Sequence, residues 1–172
     1  QTTLPGGKIF CQQLIAIQYL YSALKDLGIK LVVREHPMTF KLPFDTNWRS
    51  VDYYKAIYEL GEDVFLDDSN LDSKPLIHNS CLAASITGTI LLEAGLVGKP
   101  VIAFGKHNLS SKNNSSIIDE FLDASDLRLR IQNALKLRSA EIRKKNIHDL
   151  KKIFKNTYGA QDYKSLKDFK SL

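Results

Sequence analysis

Residues 81–105 set the tightest limit on what this chain can become. The apolar run at 81–86 predicts a strand, and Gly88 permits a tight turn after it. The stretch 89–97 then reads as a buried helix, closed by Gly98 and Lys99. Residues 100–104 form a further strand, with Pro100 tolerated as its first residue. Strand, turn, helix and strand at this spacing make a parallel βα unit with a right-handed crossover.

The same alternation runs through the preceding residues. Leu14, Ile17, Leu20, Tyr21 and Leu24 recur at helical spacing within 9–27, and Gly28 is a natural stop. Residues 29–33 read as a buried strand and 63–66 as a second one. Helices are expected at 51–60 and at 72–80, the latter with Asp72 or Ser73 near its N-cap. Residues 38–50 form an irregular loop, and 67–70 a turn. Further helices are expected at 116–122, 125–137 and 139–158, followed by a polar tail over 159–172. The expectation is one Rossmann-like α/β domain over 1–158, a parallel sheet flanked by helices. Ligands in such sheets bind beyond the carboxyl ends of the strands, so the loops to read are 34–50, 66–72, 86–89 and 104–113.

Composition narrows the classes further. The 172 residues are 44% apolar and 25% charged, ordinary for a soluble globular domain. No apolar run nears the roughly 20 residues that span a bilayer. Residues 1–8 are polar with no cleavage-like pattern, and there is no initiator Met. The chain therefore reads as a piece of a longer or processed polypeptide. Cys11 and Cys81 lie far apart in apolar surroundings and read as buried free thiols, which fits a reducing compartment. No Cys/His spacing suggests a metal site. The net charge is +5, with basic residues concentrated at 136–155. That stretch suits contact with an anionic membrane surface, or is simply the solvated face of an amphipathic helix. No aromatic interleaving supports nucleic acid.

The strongest candidate site is Ser85-Ile86-Thr87-Gly88-Thr89, where a strand gives way to a helix. Backbone N–H groups at a helix start form an anion site, and Thr87 and Thr89 add hydroxyl donors. The glycine spacing is neither that of a Walker loop nor that of the dinucleotide fingerprint. The plainer alternative is a Thr that only caps the helix. Glu93 follows in a helix that is apolar on nearly every face. A capping box would place its acid at Leu92, so capping does not account for Glu93. A carboxylate there can accept from ribose hydroxyls, or can pair with a distant Arg or Lys.

The second candidate is Glu35-His36-Pro37, expected at the carboxyl end of the first strand and on the same rim. A histidine there can donate to a phosphate or act as an acid catalyst, and Pro37 fixes the loop direction. A surface-loop histidine is the plainer alternative. His107 follows a strand end and could approach the ligand, whereas His78 and His148 sit in expected helices. Asp67 and Asp68 invite a metal but read better as a solvated turn.

Three strings together resemble the bacterial capsule polysaccharide biosynthesis family, which includes Kdo transferases. They are Ile29-Lys30-Leu31-Val32-Val33-Arg34-Glu35-His36-Pro37, Ser85-Ile86-Thr87-Gly88-Thr89-Ile90-Leu91-Leu92-Glu93-Ala94 and Gly98-Lys99-Pro100-Val101-Ile102-Ala103-Phe104-Gly105. The opening Thr2-Thr3-Leu4-Pro5-Gly6-Gly7, with Gln13 and Ile17, also looks like the segment that begins the second half of such proteins. The resemblance covers about residues 1–105. It implies the C-terminal, donor-binding domain of a GT-B glycosyltransferase. The substrate would be a nucleotide sugar such as CMP-Kdo, used without a bound metal or other cofactor. His36, the candidate catalytic residue, and Thr87-Gly88-Thr89 would contact the donor phosphate, with Glu93 at the ribose. A separate N-terminal domain would bring the acceptor, a polysaccharide or glycolipid, and the location would be cytoplasmic or peripheral at the inner membrane. The loop Lys106-His107-Asn108-Leu109 departs from relatives that carry an aromatic residue there. Two alternatives share the architecture: a sugar-nucleotide 2-epimerase-like enzyme, and a non-catalytic module that binds a membrane or partner.

Overall fold

The computed structural model describes residues 10, 12–36, 50–67, 72–105, 107 and 114–158, the side chains of 153–158 excepted. The described residues form six α-helices and five strands, alternating as the sequence suggests from α1 through β4. Helix α1 (Gln13–Leu24) leads through a short 3₁₀ turn to β1 (Leu31–Arg34), and α2 (Val51–Tyr58) leads to β2 (Val64–Asp67). Helix α3 (Ser73–Asn79) precedes β3 (Ala83–Ser85), and α4 (Ile90–Leu96) precedes β4 (Val101–Ala103). Then come β5 (Ile117–Ile118), α5 (Ala124–Leu135) and α6 (Ser139–Tyr158).

Every strand pair is parallel, but the strands form two sheets: β1–β2, and β3–β4–β5. A single doubly wound sheet of order 2-1-3-4-5 would need β1 to pair with β3. Among the described residues those two strands are not hydrogen-bonded. What joins the sheets is a shared apolar core. Leu31, Val33 and Val64 from the first sheet pack with Ile102, Phe104 and Ile118 from the second, under α1, α2 and α5.

β4 and β5 are buried on both faces, which is why they are short apolar runs without alternation, while β3 beside them is half-buried. Side chains leave a strand on alternate faces. Ile102 and Ile118 therefore enter the core under α1 and α5, while Val101, Ala103 and Ile117 face a second cluster with Ile77, Leu91 and Ala94. This arrangement overturns the helix expected at 116–122. Adjacent isoleucines at 117 and 118 serve opposite cores, as only an extended chain allows, and Val101 N–H donates to Ser116 O at 2.8 Å to start the ladder.

In the first sheet burial alternates along β1, so residues 29–33, expected as a buried strand, are buried on one face. Leu31 and Val33 point inward, whereas Val32 and its register partner Phe65 are 49% and 45% exposed. On that outer face Arg34 pairs with Asp67 at 2.6 Å. Asp67 thus belongs to a strand and is buried, not part of a solvated turn; Asp68 lies outside the described residues. Cys81 is exposed, against the expectation of a buried thiol, and Cys11 lies outside the described residues.

Helix starts follow their caps. Ser50 accepts from Tyr53 N–H, Asp72 from Lys74 N–H, and Asp123 from the amides of Ser125 and Asp126. Helix α6 lies against α4 along Ile142 and Asn146, both buried. Asn146 Nδ2 donates to Gly95 O at 2.9 Å, and its Oδ1 accepts from Asn114 Nδ2 at 2.9 Å. Asn114 Oδ1 in turn accepts from the Ser116 hydroxyl at 2.7 Å. Gly98, at φ 88°, ends the turn after α4 where a side chain would collide with the Ser139 carbonyl. No helix among the described residues is long and apolar enough to cross a membrane.

Candidate functional site

The carboxyl edge of the three-stranded sheet gathers the chemistry-bearing residues. β3 runs into the turn Ser85-Ile86-Thr87-Gly88-Thr89 and then into α4. Ile86 is buried and anchors the turn in the core, while Gly88 and Thr89 are exposed and Thr87 is half-buried. The Ser85 hydroxyl accepts from Gly88 N–H at 2.9 Å and closes the turn from within. Gly88 does not have a positive φ, so its need for glycine is one of space. A Cβ there would sit 2.7 Å from Ser85 Oγ.

Thr89 makes no side-chain capping bond. The plainer alternative, a threonine spent on capping α4, is therefore not what this residue does. Glu93 lies one turn further along, at the i+4 spacing that shares a helix face. It is exposed, and no described Arg or Lys forms a salt bridge with it. The sequence argument that an apolar helix buries this carboxylate does not hold. The apolar residues Leu91, Ala94 and Gly95 face the core, and Glu93 faces water at no desolvation cost.

The second candidate stands on the other sheet. Glu35 and His36 follow β1, and Glu35 N–H donates to Asp67 O at 2.9 Å, extending the parallel ladder. The Glu35 side chain is 4% exposed, whereas His36 is exposed, so of the two only His36 offers substantial surface. Pro37 lies outside the described residues. The single rim expected from the sequence is thus two strand edges, Glu35 and His36 at the end of β1 and the Thr-Gly-Thr turn at the end of β3.

His78 and His148 are exposed on α3 and α6. His107 behaves differently. Its Nε2 lies 3.2 Å from Asp119 Oδ2, beyond the ends of β4 and β5. An ionised carboxylate can only accept, so the proton of this contact resides on Nε2. Sequence reasoning missed Asp119 because residues 116–122 read as a helix. Two adjacent β-branched residues after Ser115-Ser116 were the available sign of a strand end. Among the described residues, no three of His, Cys, Asp and Glu gather as a metal site would require.

What the arrangement offers chemically is hydroxyls, amides and an imidazole on the edge of a buried parallel sheet, with an exposed carboxylate one helical turn behind. No family model matches the chain, and neither a curated protein nor a solved structure matches it.

Proposed function

We propose that this chain binds the nucleotide end of a sugar nucleotide, as the donor-binding domain of a GT-B-type glycosyltransferase of surface-polysaccharide synthesis. The observation that carries this reading is the exposed Thr87-Gly88-Thr89 turn at the carboxyl end of β3, in a sheet with an apolar core cluster on each face. Such edges are where parallel α/β sheets take ligands. Phosphate oxygens would accept from the threonine hydroxyls and the turn amides, and ribose hydroxyls would donate to Glu93. His36, at the end of β1, is the candidate for contact with the leaving nucleotide. The resemblance of the three strings to capsule polysaccharide enzymes favours the sugar nucleotide over other phosphates in this reading. The acceptor, a polysaccharide or glycolipid, would be held by a separate domain.

Calorimetric titration of the chain with CMP, UDP and GDP tests this. At least one should bind, and Thr89→Ala should weaken it about fivefold, the worth of one hydrogen bond. Failure of all three to bind, or a Thr89→Ala variant indistinguishable from the parent, would sink the proposal. Mass spectrometry of a UDP-sugar incubated with the protein separates transfer from epimerisation.

A second reading, compatible with the first, concerns α6. Lys144, His148, Lys151 and Lys152 are exposed at i, i+4, i+7 and i+8, opposite the buried Ile142 and Asn146. That basic stripe suits an anionic lipid surface.

A further inference from the structure

The basic residues of α6 are gathered on one side of it. Lys144, Lys145, His148, Lys151 and Lys152 are all exposed. At 3.6 residues per turn they fall within about a third of the helix circumference. The acids of α6 do not neutralise them: Asp149 is half-buried outside this arc, and Glu141, within it, is held by Arg138. None of the exposed large apolar residues belongs to the described part of α6, so the stripe offers charge and nothing to insert. It carries no Phe, Tyr or Trp and no arginine. Those are the side chains that stack on bases or fork onto them, so a flat anionic surface fits the stripe better than a nucleic acid.

The packing of α6 fixes which side of the molecule the stripe covers. Ser139 lies against Gly98 and Asn146 against Gly95, so α6 runs antiparallel to α4. Helix α4 returns from the carboxyl end of β3 to the start of β4, so α6 runs along the strand direction. Helix α4 covers the sheet face of Val101, Ala103 and Ile117, whereas α1 and α5 cover the face of Ile102 and Ile118. We infer that the chain lies on an anionic lipid surface in one orientation, with α6 against the headgroups and the α1–α5 side in water. The strands then run along the surface, and the carboxyl edge of β3–β4–β5 opens sideways beside the lipid. This inference rests on the lipid reading of α6 above and deepens it; it does not depend on nucleotide binding.

Sparse lysine acetylation, read by mass spectrometry, tests this on the unaltered chain. With vesicles of phosphatidylglycerol in phosphatidylcholine at low salt, Lys144, Lys145, Lys151 and Lys152 should react several-fold more slowly than in the free protein. Lys25, after α1, and Lys55, on α2, are also exposed but belong to the other side, and should keep their free rates. Vesicles of phosphatidylcholine alone should protect none of them, and protection there would contradict a contact driven by charge. Sedimentation with the anionic vesicles in which Lys25 and Lys55 are protected as much as the α6 lysines, or in their place, would overturn the orientation and spare the lipid reading. Failure to sediment at low salt, or a preference for polyuridylate over the vesicles at equal phosphate, would overturn both.

Discussion

Asn146 illustrates how much one polar side chain can hold together. Its carboxamide is buried between α6 and α4, giving to the Gly95 carbonyl and receiving from Asn114. Gly95 is small enough to admit it: a Cβ there would lie 2.8 Å from Asn146 Nδ2. Truncation would leave the buried Asn114 amide without its acceptor, at roughly 1–3 kcal/mol, and would remove a second donor from the Gly95 carbonyl, which keeps Gly98 N–H, at about 1 kcal/mol. Asn146→Ala should therefore lower stability by about 2–4 kcal/mol in urea unfolding, with an unchanged slope. Arg34 and Asp67 form the comparable pair on β1 and β2. None of these partnerships could be read from the sequence. A lone Asn in a basic helix looks like surface, and Asp67 beside Asp68 looks like a turn, because hydrogen-bond partners 32 or 33 residues away leave no local pattern.

At the scale of elements, local signals carried furthest. The N-caps Ser50, Asp72 and Asp123 stand where their helices begin, and the bounds of α6 match the expected 139–158. The helix expected at 116–122 failed because two residues are too few for periodicity to distinguish strand from helix. Ladder bonds to β4 and burial on two faces decided the matter. Helix α5 has a titratable start. The Leu122 amide donates to Asp126 at 3.0 Å and holds its carboxyl below the usual carboxylate range; burial opposes this, and Arg130 adds to it. A depressed carboxylate contributes stability above its unfolded pKa and loses it as pH falls through the folded value. Thermal unfolding should show the parent above Asp126→Asn at neutral pH, with the gap closing below about pH 4. The turn after α4 depends instead on Gly98. Gly98→Ala combines a left-handed backbone with a clash against the Ser139 carbonyl, and should cost about 1–3 kcal/mol or more.

For the molecule as a whole, the α/β class and the order of elements through β4 were legible because each apolar run is bounded by a glycine, proline or cap. The division into two sheets was not, since sequence periodicity carries no information about which strands pair. The candidate site inherits both facts: the Thr-Gly-Thr turn was legible as a strand-to-helix junction, whereas the meeting of His107 with Asp119 depends on β4 lying beside β5. The basic stripe of α6 makes a prediction at this scale. The chain should sediment with vesicles containing anionic lipid at low salt and release from them as ionic strength shortens the screening length toward about 10 Å. Lys144→Glu with Lys151→Glu should abolish the association, and binding indifferent to salt would contradict it.

The join between the two sheets has a mechanical consequence. Backbone ladders resist shear, because sliding one strand past another breaks several hydrogen bonds together. Interdigitated apolar side chains such as Val33 and Ile102 can repack with no such penalty. The apolar packing between the two sheets is therefore a more compliant join than either ladder. Under load, or during hydrogen exchange into heavy water, the β1–β2 pair should open as a unit before β3–β4–β5 does.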